Sequence, residues 1–522
     1  MATVNELLAV AIRQHQEGRL GEAEQLCKQI LAVEPTSYLG WHLLGRICHD
    51  GERYVEAVQH LSHSLSFSPQ NPLAYLDLGR GFLRLDKGAE AATCFRKALE
   101  LKPDYPEAHV NLGLVFERAE MIDDAIACYR RALELSPNFP EASYNLANMC
   151  QLQGRLDDAI GLYQKAIYNR PNFAKAYNGL GAALQVTGDL TEAANCYARA
   201  LAIHPSLADA HVNRAQLLLL RGDFEHGWQE YEWRWMTGQI PSRSFRQPRW
   251  DGDSLAGKTI LLYAEQGLGD TLHFIRYAPL VKARGGGVIV ECPKVLVKLL
   301  TRCRGIDRLV GYGEELPDFD VQSPLLSLPG ILGTSLDTIP SEVPYVDAEA
   351  MLVAKWRERL NAIGEFQIGI NWFGSPGHDP SQQRDIPLEQ FTNLAQNSAV
   401  RLVSLQKDKR AKHEIDACPH LAIIDFGDEL DGAHGAFMDS AAIMANLDLV
   451  ITSDTSIAHL AGALGVAVWV VLPHVPEWRW LLDRSDSPWY PTMRLFRQKK
   501  AGDWKGVFEE LEAAIQQQLA LQ

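Results

Sequence analysis

The first half of the chain carries a pattern of small, apolar and proline positions that repeats every 34 residues. The prolines of this pattern are Pro35, Pro69, Pro103, Pro137, Pro171 and Pro205. Alanines keep the same spacing, at Ala23, Ala57, Ala91, Ala125, Ala159 and Ala193. A fixed period with a helix-terminating proline in each unit predicts a stack of antiparallel helix pairs. Because no unit can bury its own apolar face, the stack should fold cooperatively.

Two further sets of residues follow the same period. Small residues recur at Gly45, Gly79, Gly113, Ala147 and Gly181, and aromatic residues at Phe95, Tyr129, Tyr163 and Tyr197. We expect the small residues to lie where helices cross and the aromatic rings to fill the space beside them. A seventh unit, residues 211–235, keeps Asn213 and Tyr231 but lacks the closing proline. We interpret it as a cap that docks onto the following domain.

After Trp250 the pattern changes to short apolar runs that alternate with helical segments. The predicted strands are residues 258–263, 288–291, 320–321, 367–372, 401–405, 422–425, 449–452 and 466–472. We also expect helices over about 271–284 and 351–360. Strands that alternate with helices indicate parallel sheets, and a proline-rich stretch at 313–365 separates two sets. Two Rossmann-like lobes that face a cleft would bind ligands at the carboxyl ends of their strands.

The fold class is therefore α + α/β, with a solenoid over 1–237, an N-terminal lobe over 250–345 and a C-terminal lobe over 365–522. The formal charge of −15 argues against nucleic-acid and anionic-lipid partners. No apolar run is long enough to span a membrane, and residues 1–19 do not form a secretory signal. The nine cysteines include no CxxC pair, so we expect reduced thiols, no metal site and a cytoplasmic protein.

Three predicted strand ends carry candidate chemistry. The first is the loop with Gly267, Gly269 and Asp270, which begins a helix where free N–H groups favour anions. Gly267 and Gly269 also give part of a dinucleotide fingerprint with Glu291, although Leu272 stands at the third glycine position. Binding of NAD, and hence a nucleotide-dependent oxidoreductase, is therefore an alternative for this loop.

The second strand end is residues 371–375, which include Ser375, followed by Arg384 in a polar loop. An arginine there suits a bidentate contact with a diphosphate. The third is the run Asp454-Thr455-Ser456, which places hydroxyls and N–H groups at a helix start, with His459 one turn later. A plain cap at Asp454 and a core histidine at His459 are the alternatives.

The repeat pattern resembles the tetratricopeptide repeat, and Trp41-His42-Leu43-Leu44-Gly45 matches the start of its consensus. This resemblance implies a groove that binds extended peptide. One position of the first helix carries Asp77, Asn111, Asn145 and Asn213. It resembles the asparagine ladder in the arm of the O-linked N-acetylglucosamine transferases, which implies contact with an acceptor backbone. The alternative is an exposed polar position on the helix.

The third strand end, through Pro473, resembles the C-terminal motif of the bacterial heptosyltransferase family of inverting glycosyltransferases. The turn at Gly269 and Asp270 is similar to the N-terminal loop of that family, and residues 384–387 to its middle loop. Arg384 stands where the family has lysine, and Ser456 where it has glycine. The resemblance spans about 257–515 and implies a two-lobed GT-B fold, a nucleotide-diphosphate sugar as donor substrate and no metal cofactor.

This resemblance implies roles for each matching residue. Asp270 becomes the catalytic base, and the donor contacts are Gly267, Gly269, Ser375, Arg384, Asp454, Thr455, Ser456 and His459. Because heptosyltransferases lack a repeat arm, we expect a protein acceptor, such as a surface or flagellar polypeptide. The main rival is a non-catalytic scaffold with a relic transferase domain. Trp478, Trp480, Trp489 and Tyr490 either stack on a ligand or, as we favour, pack between the lobes.

Overall fold

The computed structural model describes residues 3–241, 243–363, 366–374 and 384–520. By its internal contacts the chain divides into two compact units, Met1–Leu180 and Gly181–Gln522. The division falls within one helix, α11 (Ala174–Thr187). The second half of α11, α12 and the degraded unit therefore belong to the same compact unit as the α/β part.

The first unit consists of helix pairs. Its helices are α1 (Val4–Gln16), α2 (Leu20–Val33), α3 (Tyr38–Asp50), α4 (Tyr54–Phe67), α5 (Pro72–Arg84), α6 (Gly88–Leu101), α7 (Pro106–Arg118), α8 (Ile122–Leu135), α9 (Pro140–Leu152) and α10 (Leu156–Asn169). The predicted closing prolines follow directly on the C-caps of the second helices, as Pro69 does after Ser68. Proline cannot continue the helix, so each pair ends at the same place in the period.

Small residues and aromatic rings meet at the helix crossings, as the sequence predicts. A Cβ added at Gly79 would lie 2.4 Å from the Phe95 ring, and one at Gly113 would lie 2.5 Å from the Tyr129 ring. Both rings are fully buried. The ring occupies the volume that a larger residue on the first helix would need, which explains why the two positions recur together.

The second unit begins with the end of α11 and contains the remaining helices and all the described strands. The helices are α12 (Leu190–Ile203), α13 (Ala208–Leu220), α14 (Phe224–Tyr231), α15 (Leu268–Phe274), α16 (Ala278–Lys282), α17 (Lys294–Leu300), α18 (Leu328–Ile331), α19 (Ala350–Asn361), α20 (Thr392–Gln396), α21 (Lys409–Ala417), α22 (Met438–Met444), α23 (Ser456–Leu464) and α24 (Trp504–Leu519). The strands are β1 (Thr259–Tyr263), β2 (Gly287–Cys292), β3 (Arg308–Gly311), β4 (Val321–Pro324), β5 (Phe366–Asn371), β6 (Val400–Ser404), β7 (Leu449–Ser453), β8 (Val468–Leu472) and β9 (Met493–Arg497).

The strands form two parallel sheets. The order is β3-β2-β1-β4 in one sheet and β6-β5-β7-β8-β9 in the other. Neighbouring strands pair in parallel throughout both sheets. Central strands such as β7 and β8 are buried along their whole length, as parallel sheets with covered faces require.

Two predicted elements are wrong. Residues 422–425 do not form a strand, because Ala422 adopts a left-handed conformation after a turn and Ile424 forms only an isolated bridge to Val403. The predicted helix over 271–284 is interrupted by a 3₁₀ turn at Ile275–Tyr277. α16 then starts afresh with Pro279 in its first turn, a position that proline suits.

Strands β3 and β9, each at one edge of its sheet, were not predicted from the sequence. Edge strands tolerate charged residues on their open side. Arg308 in β3 and Arg494 in β9 are exposed. These arginines interrupt the apolar runs by which the inner strands were recognised.

The degraded unit, or cap, packs against the α/β part of the second unit. Phe224 and Trp228 of α14 belong to the same apolar core as the first sheet. The Trp228 indole N–H donates to the carbonyl of Thr334 at 3.1 Å, and the Phe224 ring lies 6.0 Å from that of Trp489. In the part of the chain that the structure describes, no helix has the length and apolar character needed to cross a membrane.

Candidate functional site

Two helix starts meet in the second unit. α15 follows β1 and α23 follows β7, so both begin at the carboxyl ends of parallel strands. A Cβ added at Gly269 would lie 3.0 Å from the His459 ring and 3.4 Å from Ser456 Cα. The glycine therefore permits close approach, and the loop predicted to carry the base lies against the helix predicted to bind the donor.

Asp270 is held in an ion-pair cluster. Its Oδ2 accepts the N–H of Gly267 at 3.0 Å, and its Oδ1 pairs with Arg479, which also pairs with Glu477. Gly267, not Asp270, is the N-cap of α15, and Asp270 is the third residue of the helix. The Asp270 side chain is 21% exposed. Arg479 and Glu477 were not predicted as site residues, because the tail that carries them stands out in the sequence only for its aromatic residues.

The cluster around Arg479 carries more carboxylates than cations. Burial raises the pKa of Glu477 to about 8, although the Arg479 guanidinium opposes the shift. Burial also raises the pKa of Asp454, against the opposing effect of Arg384. The pKa of Arg479 is raised even though burial lowers it, because the carboxylates of Glu477 and Asp270 favour its charged form. Burial thus favours the neutral forms of Glu477 and Asp454, whereas the nearby guanidinium groups favour the ionised forms.

The start of α23 is organised by Thr455. Its hydroxyl accepts the N–H of Ile457 at 3.3 Å and donates to Asn371 Oδ1 at 3.0 Å. Thr455 is therefore the cap, in place of the alternative that assigned this role to Asp454. Arg384 Nη1 donates to the carbonyl of Asp454 at 3.3 Å, so the predicted phosphate-binding arginine lies at this helix start. Ser375, the remaining donor candidate, lies outside the described residues.

His459 is part of a packed interface. Its Nδ1 lies 3.0 Å from the Tyr490 hydroxyl, which also lies 2.9 Å from Nδ1 of His273. Its ring stacks on that of Trp480 with 5.5 Å between centroids. Burial, followed by the charge of Arg479, lowers the pKa of His459 and favours the neutral imidazole. This geometry is the one expected for a core histidine and not for a donor ligand, because Nδ1 of His459 contacts the Tyr490 hydroxyl.

The aromatic tail packs inside the second unit. Trp478, Trp480, Trp489 and Tyr490 are all buried. The Trp489 ring lies 4.5 Å from that of His273, and the Trp478 ring lies 5.3 Å from that of Trp228. The favoured interpretation, packing in place of ligand stacking, is confirmed.

The carboxylate that a dinucleotide site would need, Glu291, is already engaged by an arginine. Both oxygens of Glu291, in β2, accept hydrogen bonds from the Arg243 guanidinium. Leu272, at the third glycine position of the fingerprint, is fully buried. A ribose would have to displace Arg243 before it could reach Glu291.

The proposed ladder on the repeat helices is not a row of equivalent side chains. Asp77 is buried and accepts from His42 Nε2 at 2.8 Å and from Arg80 at 3.4 Å. Asn111 donates to the carbonyl of Glu107, one turn back in its own helix, at 2.6 Å. Asn145 is buried, and Asn213 is partly buried. The side chains of Asp77 and Asn111 thus form hydrogen bonds within the array. The contact of this position with an acceptor backbone stays a prediction.

A small charged cavity of about 120 Å³ lies beside Asp77 in the first unit. Arg46, Arg80 and His49 also line it. Elsewhere in that unit, Cys48, Glu56 and His60 are the one trio of potential metal ligands among the described residues whose ligand atoms lie within 4.8 Å of one another. Burial raises the pKa of the Cys48 thiol, which disfavours the thiolate that binds metals.

Comparison with known proteins identifies the repeats. Residues 85–119, 118–174 and 174–207 match family models described as tetratricopeptide or TPR repeats. The chain is 25% identical over 326 residues to protein FlbA of Caulobacter vibrioides, covering 57% of this chain and 53% of that protein. It thus spans about half the length of the curated relative that it matches.

Solved structures similar to the chain include the APC/C hetero-tetramer Cut9-Hcn1 (TM-score 0.41, 16% identity, 44% of this chain and 45% of that chain). A tetratricopeptide repeat protein from Parabacteroides merdae gives a TM-score of 0.38 at 19% identity, over 45% of this chain and 93% of that one. The first part of the chain is a tetratricopeptide solenoid, and the region after it is α/β with parallel sheets.

Proposed function

We propose that this chain is an inverting glycosyltransferase that acts in the cytoplasm on a polypeptide bound by its tetratricopeptide repeats. The donor is a nucleotide-diphosphate sugar, held between the two sheets of a GT-B fold. The observation that carries the proposal is the contact of Gly269 with Ser456 and His459. This close approach supports a single site that combines Asp270 with the start of α23 at the ends of β1 and β7.

In this mechanism, Asp270 accepts the proton of the acceptor hydroxyl as that oxygen attacks the anomeric carbon. The N–H groups at the start of α23, together with Arg384, stabilise the charge that develops on the leaving diphosphate. Because Asp270 is paired with Arg479, the acceptor hydroxyl would have to compete with this guanidinium for the carboxylate. Arg479 is then a second cation available to the diphosphate.

The experiment is a thermal-shift measurement on the full chain with ADP, GDP, UDP, CDP and TDP. At about 100 times its Kd, the cognate nucleotide should stabilise the second unit by about 2.7 kcal/mol. Arg384→Gln should reduce the shift. Arg494→Gln, on the exposed side of β9, is the matched control and should leave it unchanged. Failure of all five nucleotides to raise the Tm would contradict a nucleotide-sugar donor.

With the donor base known, Asp270→Asn tests the base. Turnover should fall by about 10²–10⁴, while the shift produced by the nucleotide stays. Turnover equal to that of the unaltered chain would remove Asp270 from this role.

The second candidate is a tetratricopeptide scaffold without catalysis. The comparisons favour this candidate, since the matching family models describe repeats and the matching relative is protein FlbA. The pairing of Asp270 with Arg479 is also compatible with a purely structural cluster. The scaffold predicts capture of a polypeptide partner with no stabilisation by any nucleotide.

A further inference from the structure

The second helix pair of the solenoid brings together three side chains that can bind a metal ion. Cys48 lies near the end of α3, and Glu56 and His60 lie one turn apart on α4. One sulfur, one carboxylate oxygen and one imidazole nitrogen of these residues all lie within 4.8 Å of one another. No metal site was predicted from the sequence, because the thiol and the imidazole meet only through the packing of α3 against α4.

The spacing of the three ligand atoms suits a tetrahedral ion. Zinc bonds to sulfur at about 2.3 Å and to nitrogen or oxygen at about 2.0–2.2 Å, which places its ligand atoms about 3.3–3.7 Å apart. Side-chain shifts of up to about 1 Å therefore complete the site. Glu56 has this freedom, because its side chain is 49% exposed. Cys48 is fully buried, but zinc needs no water-sized opening at the sulfur, since it bonds directly in the gap between the three atoms.

The imidazole of His60 is held beside the other two ligands by Trp41. The two rings stack with 5.4 Å between centroids, and the Trp41 indole N–H donates to the carbonyl of Pro35 at 2.8 Å. Burial lowers the pKa of His60, which favours the neutral imidazole that binds metals. Arg53 donates to one Glu56 oxygen at 2.9 Å, and the carboxylate has a second oxygen for a metal.

The donor set favours zinc over calcium or magnesium. Those two ions take oxygen ligands, whereas thiolate and imidazole suit zinc. Burial raises the pKa of the Cys48 thiol, against the opposing effect of Arg53, so the ion must replace the thiol proton, which passes to solvent. The thiolate and the ionised Glu56 then carry two negative charges, which match the charge of the ion.

The solenoid also contains an equivalent position that lacks the imidazole. Three 34-residue periods later, the counterparts of the three ligands are Cys150, Asp158 and Leu162. The arginine that pairs with the carboxylate recurs as well. Thiol and carboxylate are thus common to the two repeats, and the histidine distinguishes the second repeat from its counterpart.

We propose that Cys48, Glu56 and His60 bind one Zn²⁺ ion, with water as the fourth ligand. The ion ties the end of α3 to α4. It stabilises the first unit, because it binds the folded arrangement of the three ligands in preference to the unfolded chain. The assignment does not depend on catalysis at Asp270.

Calorimetry and absorption spectroscopy test the site on the full chain, prepared without an affinity tag and freed of metal with a chelator. The probes are Zn²⁺ and Co²⁺ at neutral pH, because cobalt reports its ligands through its absorption spectrum. One Zn²⁺ per chain should bind saturably and raise the Tm. Co²⁺ should give the near-ultraviolet band of thiolate-to-cobalt charge transfer.

Two variants remove one ligand each. Cys48→Ser should abolish the charge-transfer band and raise the Kd for Zn²⁺ at least about tenfold, since even residues that only orient a ligand change metal affinity about 10- to 100-fold. His60→Gln, at a partly buried position, should raise the Kd by at least the same factor while the buried thiol stays in place. Circular dichroism checks that both variants are folded.

Cys150→Ser is the matched control, because it removes the equivalent buried thiol. His63→Gln is a second control, since it removes the other imidazole that packs against Trp41. Both should leave the Kd and the cobalt band unchanged. The site is overturned by no saturable binding of Zn²⁺, by a cobalt complex without the thiolate band, or by a Kd that neither Cys48→Ser nor His60→Gln raises. A failed nucleotide thermal shift would not affect it, because this assay contains no nucleotide.

Discussion

The two compact units use the same packing device over different distances along the chain. In the first unit, Gly79 receives the ring of Phe95, sixteen residues later, and the pair recurs with the period. In the second unit, Gly462 receives the ring of Tyr490, whose hydroxyl also contacts His273, 217 residues away in the sequence. Local contacts leave a periodic trace in the sequence, whereas long-range contacts leave none.

The units also differ in how they hold charge. Arg53 in the first unit is 37% exposed and pairs with Glu24 at the surface of the helices. The Arg479 side chain in the second unit is 8% exposed and lies between two carboxylates. A surface ion pair contributes little to folding stability, whereas breaking a buried ion pair leaves an uncompensated charge in the core. The buried cluster around Arg479 should therefore contribute more to stability than the exposed pair of Arg53 and Glu24.

Replacing Arg479 should give the largest effect on stability. Arg479→Met leaves the carboxylates of Asp270 and Glu477 without their cation, and the unfolding free energy should fall by about 3–5 kcal/mol. Arg53→Met, the control in the first unit, should cost less than about 1 kcal/mol. Urea unfolding followed by tryptophan fluorescence suits the test, because Trp41 is the one tryptophan before Trp228. Equal losses of unfolding free energy in the two variants would contradict the proposed difference between the buried and the exposed ion pair.

The pH dependence of stability should have opposite signs in the two units. The pKa of Glu265 is raised from its ordinary 4.5 to about 7 by burial. The folded state thus binds more protons between these values, and its stability falls as pH rises through them. The pKa of Glu24 is lowered by hydrogen bonds from Lys28 and Arg53. Its contribution is present above pH 4.5 and is lost as pH falls further.

Glutamine variants of Glu265 and Glu24 test the predicted signs of the pH dependence of stability. Relative to the unaltered chain, Glu265→Gln should gain about 2–3 kcal/mol in unfolding free energy between pH 4.5 and 7.5, because it lacks the unfavourable ionisation. Glu24→Gln should show no such gain over that window. Urea midpoints at the two pH values provide the readout, and a flat difference for Glu265→Gln would contradict its raised pKa.

The smallest effects should come from the glycines. Gly79→Ala should destabilise the first unit by about 1–2 kcal/mol through overpacking, and Phe95→Leu should restore much of the loss by vacating the space. Gly462→Ala should resist rescue by Tyr490→Phe, because the ring stays in place and two imidazole nitrogens lose their partner. Thermal melts followed by circular dichroism check both pairs. Rescue of Gly462→Ala would show that the ring of Tyr490 moves freely.

The contrast between local and long-range contacts also explains which features could be predicted from the sequence. Helix pairs, closing prolines and the ring of Phe95 beside Gly79 followed from the period alone. The central strands followed from their apolar runs, but edge strands β3 and β9 did not, because exposed arginines interrupt them.

At the candidate site, the meeting of α15 and α23 could be expected from the carboxyl ends of parallel strands. Arg479 and Glu477 could not, because no local pattern links them to Asp270. Glu265 stood in the predicted loop, but its burial and its unpaired oxygen depend on Arg234 from the cap. Such roles require the tertiary contacts themselves.

The docking of the cap has a consequence for recombination. Phe224 and Trp228 complete the apolar core of the first sheet, and the compact unit begins at Gly181. A crossover after the cap, near residue 237, would separate these side chains from the core that they finish. Exchange of repeat arms between homologues is therefore compatible with splice points inside α11. The arm can then diversify, while the final helices are inherited together with the α/β part.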